Sequence, residues 1–321
     1  MRLVTILTWL AGLGLLAGLL ASNDLGALLQ AVWRLQWWLV VIAAYHAVPL
    51  MCDVLGWRLL FARQPALGRL LRIRWIGEAA NGLLPVPHLG EVLRVKLSWD
   101  EGSDLTDSAA SVMADVTLGL LTQVLFIATG LVLFSLRQGA GTLYRSLAVT
   151  AVLMFFAVGF YAAQRSRLFS RAAQALGRGT GSAWHLFNAA GIRRVEDALR
   201  RVYGQISTII AALLWRLASW FAGAGEIWLV SHCLGGPLDF GDAVALESLR
   251  QGARAAAFII PGGLGVQDGT LMILTAQLGF GAELGLVISL VKRLRELALG
   301  LPALALLWAG ETQRWRRRRT A

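Results

Sequence analysis

Glu247, Arg250 and Arg254 follow one another at spacings of three and four residues, which stacks them on one face of a helix. Lys292, Arg293, Arg295 and Glu296 interrupt an otherwise apolar segment near 284–310. An ionisable side chain at bilayer depth costs about 2.5 to 3.5 kcal/mol on insertion scales, so such residues are candidates for function by default. Between 207 and 310 there are six such bases (Arg216, Arg250, Arg254, Lys292, Arg293, Arg295) and four acids (Glu226, Glu247, Asp268, Glu296). The surplus predicts two positive charges without protein partners, open to a lipid phosphate or similar anion. Internal pairing or snorkelling is the alternative, evenly balanced for Arg216 and Glu226. The expected headgroup contacts are Glu247, Arg250, Arg254, Asp268, Lys292, Arg293 and Arg295.

Other chemistries find little support. His46, His88, His185 and His232 are scattered with no i, i+4 pair suited to a metal. Only His88 lies where a site is expected. Gly263, Gly265 and Gly269 miss the dinucleotide fingerprint by one residue and follow no strand, and no Gly-Lys-Ser/Thr phosphate loop exists. No nucleophile has an adjacent base. Cys52 and Cys233 sit in apolar stretches without partner spacing, as packing residues do. No catalytic residue, metal or cofactor is therefore expected, and no enzyme. Asp115, midway along an apolar segment, is either a helix-contact hydrogen bonder or a proton-linked carboxylate.

Two interrupted segments must position these groups. In the first, Gly82, Pro85, Pro87 and Gly90 fall within nine residues, with His88 and Glu91 beside them, which breaks any helix there. The second, through Pro261, Gly262, Gly263, Gly265 and Asp268, repeats the order of apolar helix, Pro, Leu-Gly, acid and helix. Each half is too short to span, so each segment is expected to be a re-entrant hairpin, about 66–98 and about 243–280; ordinary proline kinks are the alternative. Backbone that leaves helical geometry at membrane depth is tolerated only when buried in protein or lining a wet cavity. Half-helix ends in such a cavity present unpaired N–H groups to an anion.

Composition fixes the setting. Of 321 residues, 57% are hydrophobic and 15% charged, against roughly 25% charged in soluble domains, and mean hydropathy is +0.62. The chain reads as one all-α, polytopic membrane domain over 1–321. A span needs roughly 20 apolar residues, and six segments qualify: near 3–21, 36–57, 109–136, 143–163, 207–232 and 284–310. The first reads as an uncleaved anchor rather than a signal peptide. Arg and Lys crowd the connections 58–98 and 165–201, whereas 22–35 has only Arg34, 137–142 only Arg137, and 233–242 no base. The positive-inside rule then puts both termini and the basic tail 311–321 in the cytoplasm and the two hairpins on opposite faces, an inverted repeat. It also explains the formal charge of +11 without nucleic acid. The segment 165–205 reads as an amphipathic helix near the inner surface, and Trp33, Trp37, Trp38, Trp308 and Trp315 fit an interfacial belt.

The run Phe258-Ile259-Ile260-Pro261-Gly262-Gly263-Leu264-Gly265-Val266-Gln267-Asp268-Gly269 resembles the hallmark of the flippase-like transmembrane family related to the membrane half of lysylphosphatidylglycerol synthases. Glu247–Arg250, Ser289–Glu296 and Ala114–Thr117 resemble its hopanoid-biosynthesis-associated HpnL branch. The resemblance covers nearly the whole chain from the second span on. It implies a bacterial inner-membrane protein that translocates or handles lipid, the partner being a hopanoid, an anionic phospholipid or a polyprenyl phosphate in the bilayer. The family's acid at position 268 is more often Glu, so Asp268 has a shorter reach. The soluble aminoacyl-transferase domain of full synthases is absent, so synthase activity is not expected. A non-transporting scaffold for lipid-synthesis enzymes is the alternative, and a lipid-modifying transferase a more distant one.

Overall fold

A computed structural model describes residues 2–84, 86, 88–138, 151, 152, 154, 158, 159, 161, 162, 189–236, 238–257, 260 and 263–320. Pro85, Pro87, Pro261, Gly262, most of the expected span 143–163 and the 165–188 part of the amphipathic segment lie outside the described residues. Within them the fold is all-α: α1 (Arg2–Ala21), α2 (Leu25–Arg34), α3 (Trp38–Tyr45), α4 (Ala47–Arg58), α5 (Leu67–Leu83), α6 (Leu89–Asp100), α7 (Leu105–Gln138), α8 (Ala189–Gly204), α9 (Ile206–Cys233), α10 (Phe240–Ala256), α11 (Val266–Gln277) and α12 (Ala282–Thr320).

Three stretches among the described residues are long and apolar enough to cross a membrane: Trp38–Arg58, Leu105–Gln138 and Ile206–Cys233. They coincide with expected spans near 36–57, 109–136 and 207–232. Of the other expected spans, 143–163 lies largely outside the described residues, and the first and last are not plain single spans. The first does not end in an open loop at 22–35. Asp24 accepts hydrogen bonds from the Gly26 and Ala27 amides at 2.8 and 3.1 Å, and this N-cap starts α2, bent by 94° from α1, so the two count at most as one span. The last lies inside a 39-residue helix, about 58 Å long at 1.5 Å per residue, whose charged cluster keeps it out of the apolar set.

Both interrupted segments form helix–break–helix hairpins, α5–α6 and α10–α11, whose arms pack on each other. Their 12 to 17 residues are too few to span. In the first, Asn81 Oδ1 accepts from the Gly90 amide at 2.7 Å while its Nδ2 donates to both Glu91 oxygens at 3.0 and 3.2 Å. One side chain thus ties the arms across the break. A Cβ on Gly90 would run into the Gly77 carbonyl and the Asn81 side chain, so glycine there sets how close the arms come. In the second, Gly265 takes φ 75°, a conformation that favours glycine, and its amide donates to Asp268 Oδ2 at 2.8 Å. Helix α1 closes this break from outside, its Gly12 lying against Ile260 and Leu264.

The order of contacts repeats. Helices α4–α5, α5–α6 and α6–α7 pack in sequence, as do α9–α10, α10–α11 and α11–α12; α5 lies on α12 and α10 on α7; and α4 meets α9. Exchanging α4–α7 with α9–α12 maps each of these contacts onto another or onto itself. The departure is α7–α9, whose counterpart α4–α12 has little contact.

Of the amphipathic segment, residues 189–204 form α8. Val195, Ala198, Leu199, Val202 and Tyr203 pack with Ala110, Ala114 and Leu118 of α7, while Arg193, Arg194, Arg200 and Arg201 remain exposed. Of the tryptophans expected at an interface, Trp33, Trp37 and Trp308 are exposed, whereas Trp38 packs against the core.

Gly90→Ala is expected to destabilise the protein by about 1 to 3 kcal/mol through overpacking. Gly82→Ala, in the same hairpin but with open space around it, should be neutral or stabilising by up to about 1 kcal/mol as a helix-interior replacement. Unfolding of the two variants in detergent micelles checks the contrast.

Candidate functional site

The charged residues of the apolar helices come together in two buried clusters. In the first, Arg74 of α5 donates to Asp53 of α4 at 2.5 Å and to Asp115 of α7 at 2.9 Å. Arg94 of α6 donates to the same Asp115 oxygen at 2.7 Å, and its guanidinium carbon lies 4.1 Å from the centroid of the Trp57 ring, a cation–π contact. Arg216 of α9 pairs with Asp53 at 2.7 Å and approaches Asp115 at 3.9 Å. Three guanidiniums share two carboxylates here, and the Nε atoms of Arg94 and Arg216 have no hydrogen-bond partner among the described residues.

In the second cluster, Arg250 grips Glu247 through two hydrogen bonds, 2.9 and 2.6 Å, and reaches across to Gln267 of α11. Lys292 lies between Glu226 and Glu247, at 3.2 and 3.3 Å. Asp268, besides capping α11, accepts from Ser289 and pairs with Arg293 at 3.3 Å, and Arg293 also meets Glu296 at 2.9 Å. Between these groups is a cavity of about 10 Å³ lined by Arg250, Gln267, Asp268, Leu271, Ser289, Lys292, Arg293 and Glu296, space for roughly one water.

His46, in the turn between α3 and α4, joins the two. Its Nε2 lies 2.8 Å from Glu78 Oε1 on α5, and its ring is within 2.9 Å of the Arg295 guanidinium, which in turn donates to Glu226 at 3.0 Å. Glu78 is one helical turn from Arg74, so a chain of ionic side chains runs from one hairpin to the other.

The repeat of contacts extends to these pairs, with the signs reversed. Arg74 and Glu247 each lie seven residues into the first helix of a hairpin, and Asp115 and Lys292 each ten residues into the long helix that follows. Arg74–Asp115 and Glu247–Lys292 are therefore equivalent ion pairs of opposite polarity. Each has a second acid from the helix before its hairpin: Asp53 on Arg74, Glu226 on Lys292.

The headgroup residues expected from sequence, Glu247, Arg250, Asp268, Lys292, Arg293 and Arg295, do converge. The expected surplus of two unpaired cations is corrected, because acids outside 207–310 supply the difference. Arg216 is met by Asp53 and Asp115, and with Glu78 included, Arg250, Arg254, Lys292, Arg293 and Arg295 stand against Glu78, Glu226, Glu247, Asp268 and Glu296. Arg254, in the last turn of α10, has no ion pair within 4 Å among the described residues. Arg74 and Arg94, counted in the sequence as connection charges, are instead members of the first cluster. His88 stands at a positive φ of 58° with an 81% exposed side chain and Glu91 as its ion-pair partner among the described residues, at 3.8 Å, whereas His46, passed over in the sequence, is the bridge. Of the hairpin breaks, Gly90 and Glu91 shape the first break away from the network, whereas the Gly265 amide touches it by donating to Asp268.

Asp115→Asn leaves three guanidiniums with one carboxylate and is expected to cost about 3 to 5 kcal/mol, as breaking buried pairs does. Lys96→Gln removes a surface pair with Glu311 and should cost no more than about 1 kcal/mol. Denaturation in mixed micelles separates the two outcomes.

No curated protein and no solved structure matches this chain. Residues 6–303 match the family model described as the lysylphosphatidylglycerol synthase TM region. That match runs through both hairpins and every helix that contributes to the two clusters, and the chain belongs to this family of membrane proteins linked to lipid metabolism.

Proposed function

We propose that the protein is a lipid transporter of flippase type in a bacterial inner membrane, carrying a headgroup along the ionic chain between its hairpins while the tails stay in the bilayer. The observation that carries this reading is the gathering of buried ionic side chains from both hairpins, the Asp53–Arg74 group on one side and the Glu226, Lys292 and Asp268 groups on the other, with His46, Glu78 and Arg295 between them. Structural ion pairs would serve as well in isolation; a file of exchangeable partners joining two broken helices offers successive footholds to a polar group.

Two hairpins re-entering from opposite faces, with six spans in all and both termini cytoplasmic, is the membrane arrangement we propose. Its support is the pairwise repeat of contacts and the grouping of connections. Arg137 binds Asp239 at 2.6 Å, which brings together two connections assigned to the outer face, and Lys96 binds Glu311 at 2.5 Å, which brings together two assigned to the inner face. The near balance of acids and bases around the second cluster suits a headgroup that exchanges hydrogen bonds, with Arg254 left to take a phosphate or other anion. Hopanoid, anionic phospholipid and polyprenyl phosphate all remain cargoes of suitable chemistry, the first supported by the resemblance to the HpnL branch. No catalytic step is proposed. The second reading, a scaffold for lipid-synthesis enzymes, draws on the four exposed arginines of α8.

Purified protein in liposomes should speed the movement of fluorescently labelled phospholipid headgroups between leaflets. Arg254→Gln should slow that movement several-fold with little loss of stability, since no ion pair is broken. Failure of the unaltered protein to accelerate any of the three lipid classes would favour the scaffold.

A further inference from the structure

On α9, a cleft of about 370 Å³ opens between Tyr45, Gly225, Trp228, Leu229 and Phe240. Its size is within the range of small-molecule pockets, which are typically apolar and aromatic with few polar groups. None of these five residues carries a charge. Trp228 and Phe240 are part-exposed at 37% and 47%, so the cleft opens on the outside of a helix apolar enough to span. Trp228 is stacked on His232, centroids 5.2 Å apart, which fixes the plane of one wall.

Its place beside the network is set by two consecutive pairs of residues. Tyr45 is followed in the chain by His46, the bridge between the clusters, and Gly225 by Glu226, the partner of Lys292 and Arg295. The Tyr45 hydroxyl packs where a Gly225 side chain would be, so glycine at 225 is what lets Tyr45 pack against α9 one residue from Glu226. An apolar surface that opens towards hydrocarbon on one side and backs on buried charge on the other matches an amphiphile.

We propose that this cleft seats the apolar body of a membrane lipid, a hydrocarbon tail or ring system, with its headgroup turned to the network behind Tyr45. This rests on the transport reading above and adds where the apolar part of the cargo lies. A tail seated there packs against the apolar walls, and its headgroup lies next to Tyr45, the residue before His46.

The test uses the full-length protein in mixed phosphatidylcholine and phosphatidylglycerol liposomes containing a trace of phospholipid with a photoreactive diazirine in its tail. After irradiation, label should concentrate on peptides holding Tyr45, Trp228 and Phe240, above that on other lipid-facing residues such as Ile210 and Leu214. Leu229→Trp, which fills the cleft, should remove the excess; Trp228→Ala, at a part-exposed position where the fold is tolerant, should reduce it. Label that follows exposure alone and ignores both variants would overturn the proposal. Headgroup movement measured in the same liposomes separates the two readings: cleft labelling without transport refutes transport and leaves the cleft site, whereas transport that survives Leu229→Trp at full rate refutes the cleft site alone.

Discussion

A charge held among apolar helices has to be met by its counter-charge, since leaving one partner of a buried pair unmatched costs about 3 to 5 kcal/mol. In this chain that requirement decides which helices lie together. Asp115 draws α5, α6 and α9 to α7 through Arg74, Arg94 and Arg216, and Lys292 draws α9 and α10 to α12 through Glu226 and Glu247. Burial of leucine and valine is not selective in a membrane, where lipid tails are as apolar as the helix next door. The ionic pairs are specific where apolar contact is not, and small residues such as Gly77 and Gly90 allow the close approach that they need.

The sign reversal between Arg74–Asp115 and Glu247–Lys292 shows what the repeat conserves. It is the location of a pair, one turn-number into a hairpin and one into the following helix, rather than the residue at either end. That explains why the two halves look so weakly alike as sequences while their contacts repeat so closely. It also yields clusters in which Arg74, Arg216, Lys292, Arg293 and Arg295 each meet two acids, whereas Arg94 and Arg250 each meet one.

The sequence made the architecture legible where the physics is local. Long apolar runs marked α3–α4, α7 and α9, and clustered Pro and Gly marked both hairpin breaks; the i, i+3 spacing of Glu247 and Arg250 became a two-bond ion pair. Pairing over long distances was not legible. Counting charge between 207 and 310 missed Asp53, Glu78 and Asp115, because nothing in local spacing says that α4, α5 and α7 fold against α9 and α12. Arg74 and Arg94 looked like loop charges because the hairpin breaks place them near connections in sequence though not in space. His46 had no neighbour in the chain to announce it, and its role arises only from the turn between α3 and α4 meeting α5 and α12. Asn81, which ties the first hairpin across its break, could have been suspected from a lone amide one turn before the Pro-Val-Pro run.

The account depends on two hairpins reaching into the membrane from opposite sides. With Cys52 and Cys233 replaced by alanine, single cysteines at His88, the exposed end of the first break, and at Ile260, in the second, can be reacted with a membrane-impermeant thiol reagent in sealed vesicles of either orientation. The cysteine at 88 should react only from the cytoplasmic face and the one at 260 only from the opposite face. Reaction of both from the same face would contradict the inverted arrangement and, with it, the route for a headgroup between the hairpins.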